Sequence, residues 1–172
     1  MGYRATPNRP DEYKQGKYNL INPNKYLGDP TTIWFRSSWE YKLYFYLDNE
    51  PRVIHWNVEG ITIPYEMEVT DSRGNKHWET FRYHPDAFAE IQKLDGTISK
   101  TVIEIKPYSE TIPPTPPKRI TAKSLENYEY RQKMFLRNFA KWTKAKKFCE
   151  KKGFDFFVMT EKYFEGHSVK LF

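Results

Sequence analysis

The chain has 172 residues, 38% of them hydrophobic and 17% aromatic, which is enough apolar matter for one folded core and excludes a disordered chain. Its net charge of +6 is uneven: residues 1–60 carry 8 basic and 7 acidic groups, residues 61–110 carry 6 and 9, and residues 111–172 carry 14 and 6. The single cysteine, Cys149, excludes an internal disulfide, and no segment approaches the roughly 20 apolar residues needed to cross a bilayer.

Residues 1–30 hold Pro10, Pro23 and Pro30 without sustained periodicity. They read as an extended N-terminal arm that lies on the domain or on a partner, or else as a mobile tail. Residues 31–172 read as a single domain. Its first helix is expected at about 37–49, with Trp39, Leu43, Tyr46 and Leu47 on the apolar face. Ser37-x-x-Glu40 has the form of a capping box, which accounts for Glu40 without any catalytic role. After Pro51 come strands at 53–56 and 61–65, a loop at Asp71-Ser72-Arg73-Gly74-Asn75, and a strand at 77–83. Residues 87–91 and 101–106 read as a hairpin with Asp95-Gly96 as its turn signal.

A proline-rich loop follows at 107–119, where Pro107, Pro113, Pro114, Pro116 and Pro117 oppose helix and break a ladder. It is a lid, a DNA-contacting wall or only a stiff crossover. A long helix is expected from about 124 to 152, ended by Gly153, with Tyr128, Phe135, Phe139, Trp142 and Cys149 burying one face. Cys149 reads as packing rather than as a nucleophile. The final strand, 154–159, is continuously apolar and belongs inside the sheet. The N-terminus lacks the shape of a secretory signal, so a reducing, cytosolic setting is expected.

Chemistry enters at Tyr83-His84-Pro85-Asp86 and, further on, Val102-Ile103-Glu104-Ile105-Lys106. Phosphodiester hydrolysis needs hard oxygen ligands for a divalent metal, which Asp86 and Glu104 supply. It also needs a group that orients water and offsets phosphate charge, a task suited to Lys106. Strand alternation sets Glu104 and Lys106 on one face and turns Ile105 to the core. The middle of the chain is net −3 and the last third net +8. Such asymmetry suits a polyanion held on a basic helix, by Arg131, Arg137, Lys141 and Lys144, beside an acidic metal site. His55, His77, His84 and His167 have no zinc-like spacing with Cys149. His84 stands near the site as a surface imidazole or a phosphate contact.

Taken in order, Arg36-Ser37-Ser38-Trp39-Glu40, His84-Pro85-Asp86 and Glu104-Ile105-Lys106 resemble the PD-(D/E)XK nuclease superfamily, in its TnsA-like branch. Lys25-Tyr26-x-Gly28-Asp29-Pro30, Asn138-x-x-Lys141-Trp142 and Gly153-x-x-Phe156-Phe157-Val158-Met159-Thr160-Glu161 narrow the likeness to the head-completion nuclease family of large contractile-tailed bacteriophages. The resemblance implies an α/β fold with a central mixed sheet of four or five strands flanked by helices. It implies Asp86 and Glu104 as metal ligands, Lys106 and Glu40 as further catalytic residues, and Mg²⁺ as cofactor with Mn²⁺ as a substitute. The third motif reads Glu-x-Lys where some TnsA-like proteins have Gln-x-Lys, so the number of metals does not carry over. Double-stranded DNA is the implied substrate, cut late in head assembly after packaging, with portal, neck or other head-completion proteins as partners. The implied location is the host cytoplasm during assembly, with retention at the head–tail junction left open. A structural DNA-gripping neck component and a recombination or repair endonuclease remain as alternatives.

Overall fold

The computed structural model describes residues 15–163. Its centre is a four-stranded sheet in the order β3–β6–β7–β8, formed by Val53–Val58, Ala87–Gln92, Ile98–Ile105 and Asp155–Met159. The first three strands are antiparallel to their neighbours, whereas β7 and β8 are parallel, so the sheet is mixed. A parallel pair needs a long crossover. Here it is a four-residue helix α2 (Tyr108–Thr111), the rest of the proline-rich stretch, and the long helix α3 (Ala122–Lys152).

The alternation of β7 and β8 divides the interior in two. Ile103, Ile105, Phe157 and Met159 face helix α1 (Ser38–Asn49) and pack with Leu43, Tyr44, Leu47 and Trp56. Phe156 faces the other way, into a cluster with Ala145 and Trp142 of α3 and Ile63, Tyr65 and Tyr83. The last three belong to a separate two-stranded sheet, β4 (Ile63–Thr70) with β5 (Lys76–Tyr83). Covered on both sides, β7 is buried continuously from Thr101 to Ile105.

Local chemistry fixes the joints. In the β6–β7 turn, Asp95 Oδ1 accepts from the amide and hydroxyl of Thr97, and Gly96 takes the positive φ of 84° that the turn requires. Helix α3 starts two residues before the expected 124 because Thr121 caps it, accepting from the Ser124 amide. It ends at Gly153, whose φ of 68° lets its N–H reach the carbonyls of Cys149 and Glu150. The turn α2 forms among prolines because Pro107 is its N-cap, a position that needs no amide hydrogen.

One expectation shifts. Of the face expected to be buried on the long helix, Cys149 is fully buried, Tyr128, Phe135 and Trp142 are half-buried, and Phe139 is 59% exposed. The reason is rotation: the buried stripe runs through Asn138, Ala145 and Cys149, and Phe139 stands about 100° round the helix from Asn138, at the edge of that stripe.

Within the segment read as an arm, residues 15–30 lie on the domain. Gly16–Lys17 (β1) pairs with Trp34–Phe35 (β2), and Tyr18 is buried in the α1 cluster. Asp48 anchors this stretch: its carboxylate accepts from the Tyr18 hydroxyl and the amides of Ile21 and Asn22. The expectations for residues 1–14, and His167 with the rest of 164–172, lie outside the described residues. Among those described, no helix is long and apolar enough to cross a membrane.

Candidate active site

Asp86 stands one residue before β6, in the stretch that leads out of β5. Ala87 is the register partner of Ile103, so Asp86 falls opposite Glu104 across the β6–β7 pair. The Asp86 carboxylate replaces a ladder acceptor there, taking the Ile105 amide on Oδ2 at 2.6 Å. Glu104 is 2% exposed. Its Oε2 accepts from the Tyr83 hydroxyl at 2.8 Å, and its Oε1 lies 3.3 Å from Nζ of Lys106. Asp86, Glu104 and Lys106 are therefore neighbours at one end of the sheet, although β-parity alone linked only the last two.

Two carboxylates this close cannot both ionise freely away from water. Burial, reinforced by the charge of Glu104, pushes the Asp86 carboxyl up to about 8, against the pull of the Ile105 amide and Lys106. Burial opposes charge on Lys106, but Glu104 and Asp86 outweigh it and hold its pKa above the usual lysine value. The ammonium is thus a donor and a positive charge, not a base. Burial and then Glu104 raise the Tyr83 phenol, which keeps its proton pointed at the carboxylate.

A pair of buried carboxylates offering hard oxygen donors is suited to a divalent cation. Among the described residues no three His, Cys, Asp or Glu side chains gather as a metal cluster. Two carboxylates suffice for Mg²⁺, which usually takes one or two of them and completes its shell with water and substrate phosphate. The donor set fits that ion.

Glu40 lies on α1 and caps it in part. Ser37 Oγ accepts from the Glu40 amide at 3.1 Å, while Glu40 Oε2 accepts from the amide of Arg36 at 2.7 Å, one residue earlier than a strict capping box. Its charge also adds, as the smallest contribution, to the rise at Asp86. One carboxylate is therefore shared between helix start and site field.

The four basic residues of α3 separate. Lys141 sits with its ammonium 5.5 Å from the centre of the Tyr83 ring. Burial, aided by Lys106 and Arg137, holds its pKa below the usual lysine value against the pull of Glu104 and Asp86. It thus shares the field of the acidic pair. Arg137 lies over the Phe81 ring at 5.8 Å, and Lys144 pairs with Glu66 at 3.2 Å. Arg131 is exposed beside Pro117, away from the carboxylates. His84 meets the Thr62 hydroxyl at 3.2 Å.

Sequence reasoning assigned no role to Tyr83 and placed Lys141 only on a DNA-facing helix. The available signal for Tyr83 was its position at the end of the strand that delivers Asp86.

With this geometry, the family assignment falls into place. Residues 50–161 match the family model described as TnsA-like endonuclease N terminal, a span that includes Asp86, Glu104, Lys106 and Lys141 but not Glu40. The chain belongs to this endonuclease family and has the PD-(D/E)XK nuclease fold. A particular relative extends the likeness: the Head completion nuclease of Enterobacteria phage T4 is 34% identical over 146 residues, covering 85% of this chain and 90% of that protein. No solved structure matches.

Proposed function

We propose that this protein is a Mg²⁺-dependent DNA endonuclease of phage head completion, acting after packaging as the head is made ready for neck and tail. The observation that carries the chemistry is the Asp86–Glu104 pair, set opposite across β6 and β7 with Lys106 at 3.3 Å from Glu104. Asp86 and Glu104 would hold the metal, which supplies Lewis acidity at a phosphoryl oxygen and charge to offset the phosphate. Lys106 donates to the attacking water and stabilises the negative charge that grows on phosphorus-bound oxygen. Tyr83 fixes one oxygen of Glu104, leaving the other toward Lys106. Lys141 and Arg137 approach the phosphates from α3, and Glu40 adds negative charge from α1. The biological role rests on the likeness to the T4 head completion nuclease, which covers most of both chains. Portal or neck proteins are the partners that role requires.

The test is purified protein with Mg²⁺ on linear, nicked and flapped DNA, beside Asp86→Ala and a chelator control. Cleavage by the parent alone, abolished by chelation, is the expected result. Equal cleavage by Asp86→Ala would remove the site. Complementation of an assembly-defective phage by that variant would make cleavage dispensable to head completion.

A further inference from the structure

Beside the acidic pair lies a cavity of about 440 Å³, within the roughly 300–1,000 Å³ of small-molecule sites. Its walls include three aromatic residues, Tyr108, Trp142 and Tyr163, with Thr111 and Thr160 as polar lining. Elements that carry or adjoin the cleft also line this cavity. Tyr108 follows Lys106 by two residues, and Trp142 adjoins Lys141. Val158 is the register partner of Glu104, and the Lys106 amide donates to the Met159 carbonyl at 2.9 Å. The cavity and the carboxylates are therefore adjoining compartments of one sheet end.

Its chemistry is that of a base pocket. Aromatic walls bind the π-face of any nucleobase, and hydroxyls answer its polar edge. Lys162 holds its ammonium 3.2 Å from the centre of the Tyr108 ring, placing a positive charge at the cavity wall for a linking phosphate. The Tyr108 amide donates to Glu161 Oε2 at 2.7 Å, which ties this wall to the end of β8. A duplex with every base stacked has nothing to put there; a single-stranded end or flap does.

We propose that the cavity receives an unpaired base of the DNA, so that the enzyme engages duplexes where a strand end or flap adjoins the cleft. The proposal rests on the nuclease reading of that cleft but is tested without cleavage. Fluorescence anisotropy in chelator would compare a blunt duplex with the same duplex bearing a short 3′ or 5′ overhang. One overhang is expected to bind more tightly than blunt DNA by on the order of 10-fold, the scale of one base stacked on an aromatic side chain. Tyr108→Ala, which removes a wall, and Thr111→Trp, which fills the space, should each bring the overhang-to-blunt ratio close to one. Two variants of opposite volume guard against one of them failing to fold, which circular dichroism would reveal. Equal binding of all three DNAs by the parent, or a ratio unmoved by the folded variants, overturns the proposal and leaves the cavity to another occupant. A protein that prefers overhangs yet cleaves nothing would overturn the nuclease reading alone.

Discussion

Tyr83→Phe isolates the bond that holds Glu104. Phenylalanine keeps the ring that packs with Ile63, Tyr65 and Ala145 and lies 5.5 Å from the Lys141 ammonium. Only the hydroxyl goes, and with it a 2.8 Å hydrogen bond to a carboxylate that is 2% exposed. Bonds to charged groups contribute about 1.5–3 kcal/mol. Glu104 keeps Lys106 at 3.3 Å, so the lower end of that range applies to folding. A metal held by Asp86 and Glu104 would feel the loss differently, because a released Glu104 would have to be ordered again on binding. Removing such an outer partner commonly costs about 10–100-fold in metal affinity, equivalent to about 1.4–2.8 kcal/mol. The Mg²⁺ concentration for half-maximal cleavage should therefore rise on the order of 10-fold, with most of the rate recovered at saturating Mg²⁺. Calorimetric titration of metal into the variant should give the same ratio. An unchanged Mg²⁺ dependence would refute the positioning role. So would a rate loss that excess metal cannot restore while metal affinity is unchanged, since Tyr83 would then act on the reaction and not on the ligand.

Lys106→Ala should lower cleavage by on the order of 100-fold or more while leaving the melting temperature close to the parent's, as measured by single-turnover kinetics and thermal unfolding. Lys141→Glu with Arg137→Glu should weaken duplex binding and reduce its log–log salt slope by about one for each phosphate no longer neutralised, whereas Lys144→Ala, already paired with Glu66, should change the slope less. Glu90 has its carboxyl held below the usual range first by His55 and then by Lys100, so it stabilises the fold above its unfolded pKa and loses that contribution as pH falls through the folded value. Glu90→Gln should therefore flatten the acid side of the stability profile in denaturant titrations, and a profile unchanged by that substitution would remove the link.

Much of this architecture was legible because local signals agreed. Ser37, Asp95-Gly96 and Gly153 each name a joint by its chemistry, and the 3.6- and 2-residue periods of the segments between them agree with those joints. Glu104 and Lys106 were legible as a pair because strand parity is a local rule. Asp86 was recognisable only by motif, since its place opposite Glu104 depends on the β6–β7 register and not on its neighbours in sequence. Tyr83 was illegible for a stronger reason: its partner is 21 residues away on another sheet. Tyr18 and Asp48 show the same limit, because a segment rich in proline and without periodicity gives no hint that a buried carboxylate fastens it down. The exposure of Phe139 escaped because the buried stripe of α3 passes through a polar residue, Asn138, which apolar periodicity does not mark.

The charge inventory of the site explains why these residue types belong together. Asp86 and Glu104 bring two negative charges when ionised, and Lys106 and Lys141 bring two positive ones within the same field. Without metal, burial pushes Asp86 toward its neutral form, so Glu104 offsets one of the two lysines and a single positive charge is left to face a phosphate. A divalent cation held by the two carboxylates would favour ionised Asp86 and raise that excess to two positive charges facing a phosphodiester that carries one negative charge. Metal and DNA should therefore bind with positive coupling, each raising the affinity of the other by the same factor. A cleft built only to grip DNA would have no use for the acidic pair, because lysines alone would attract the backbone more strongly. Buried carboxylates would weaken any hold on DNA in the absence of metal, a cost that suits an endonuclease and not a passive grip.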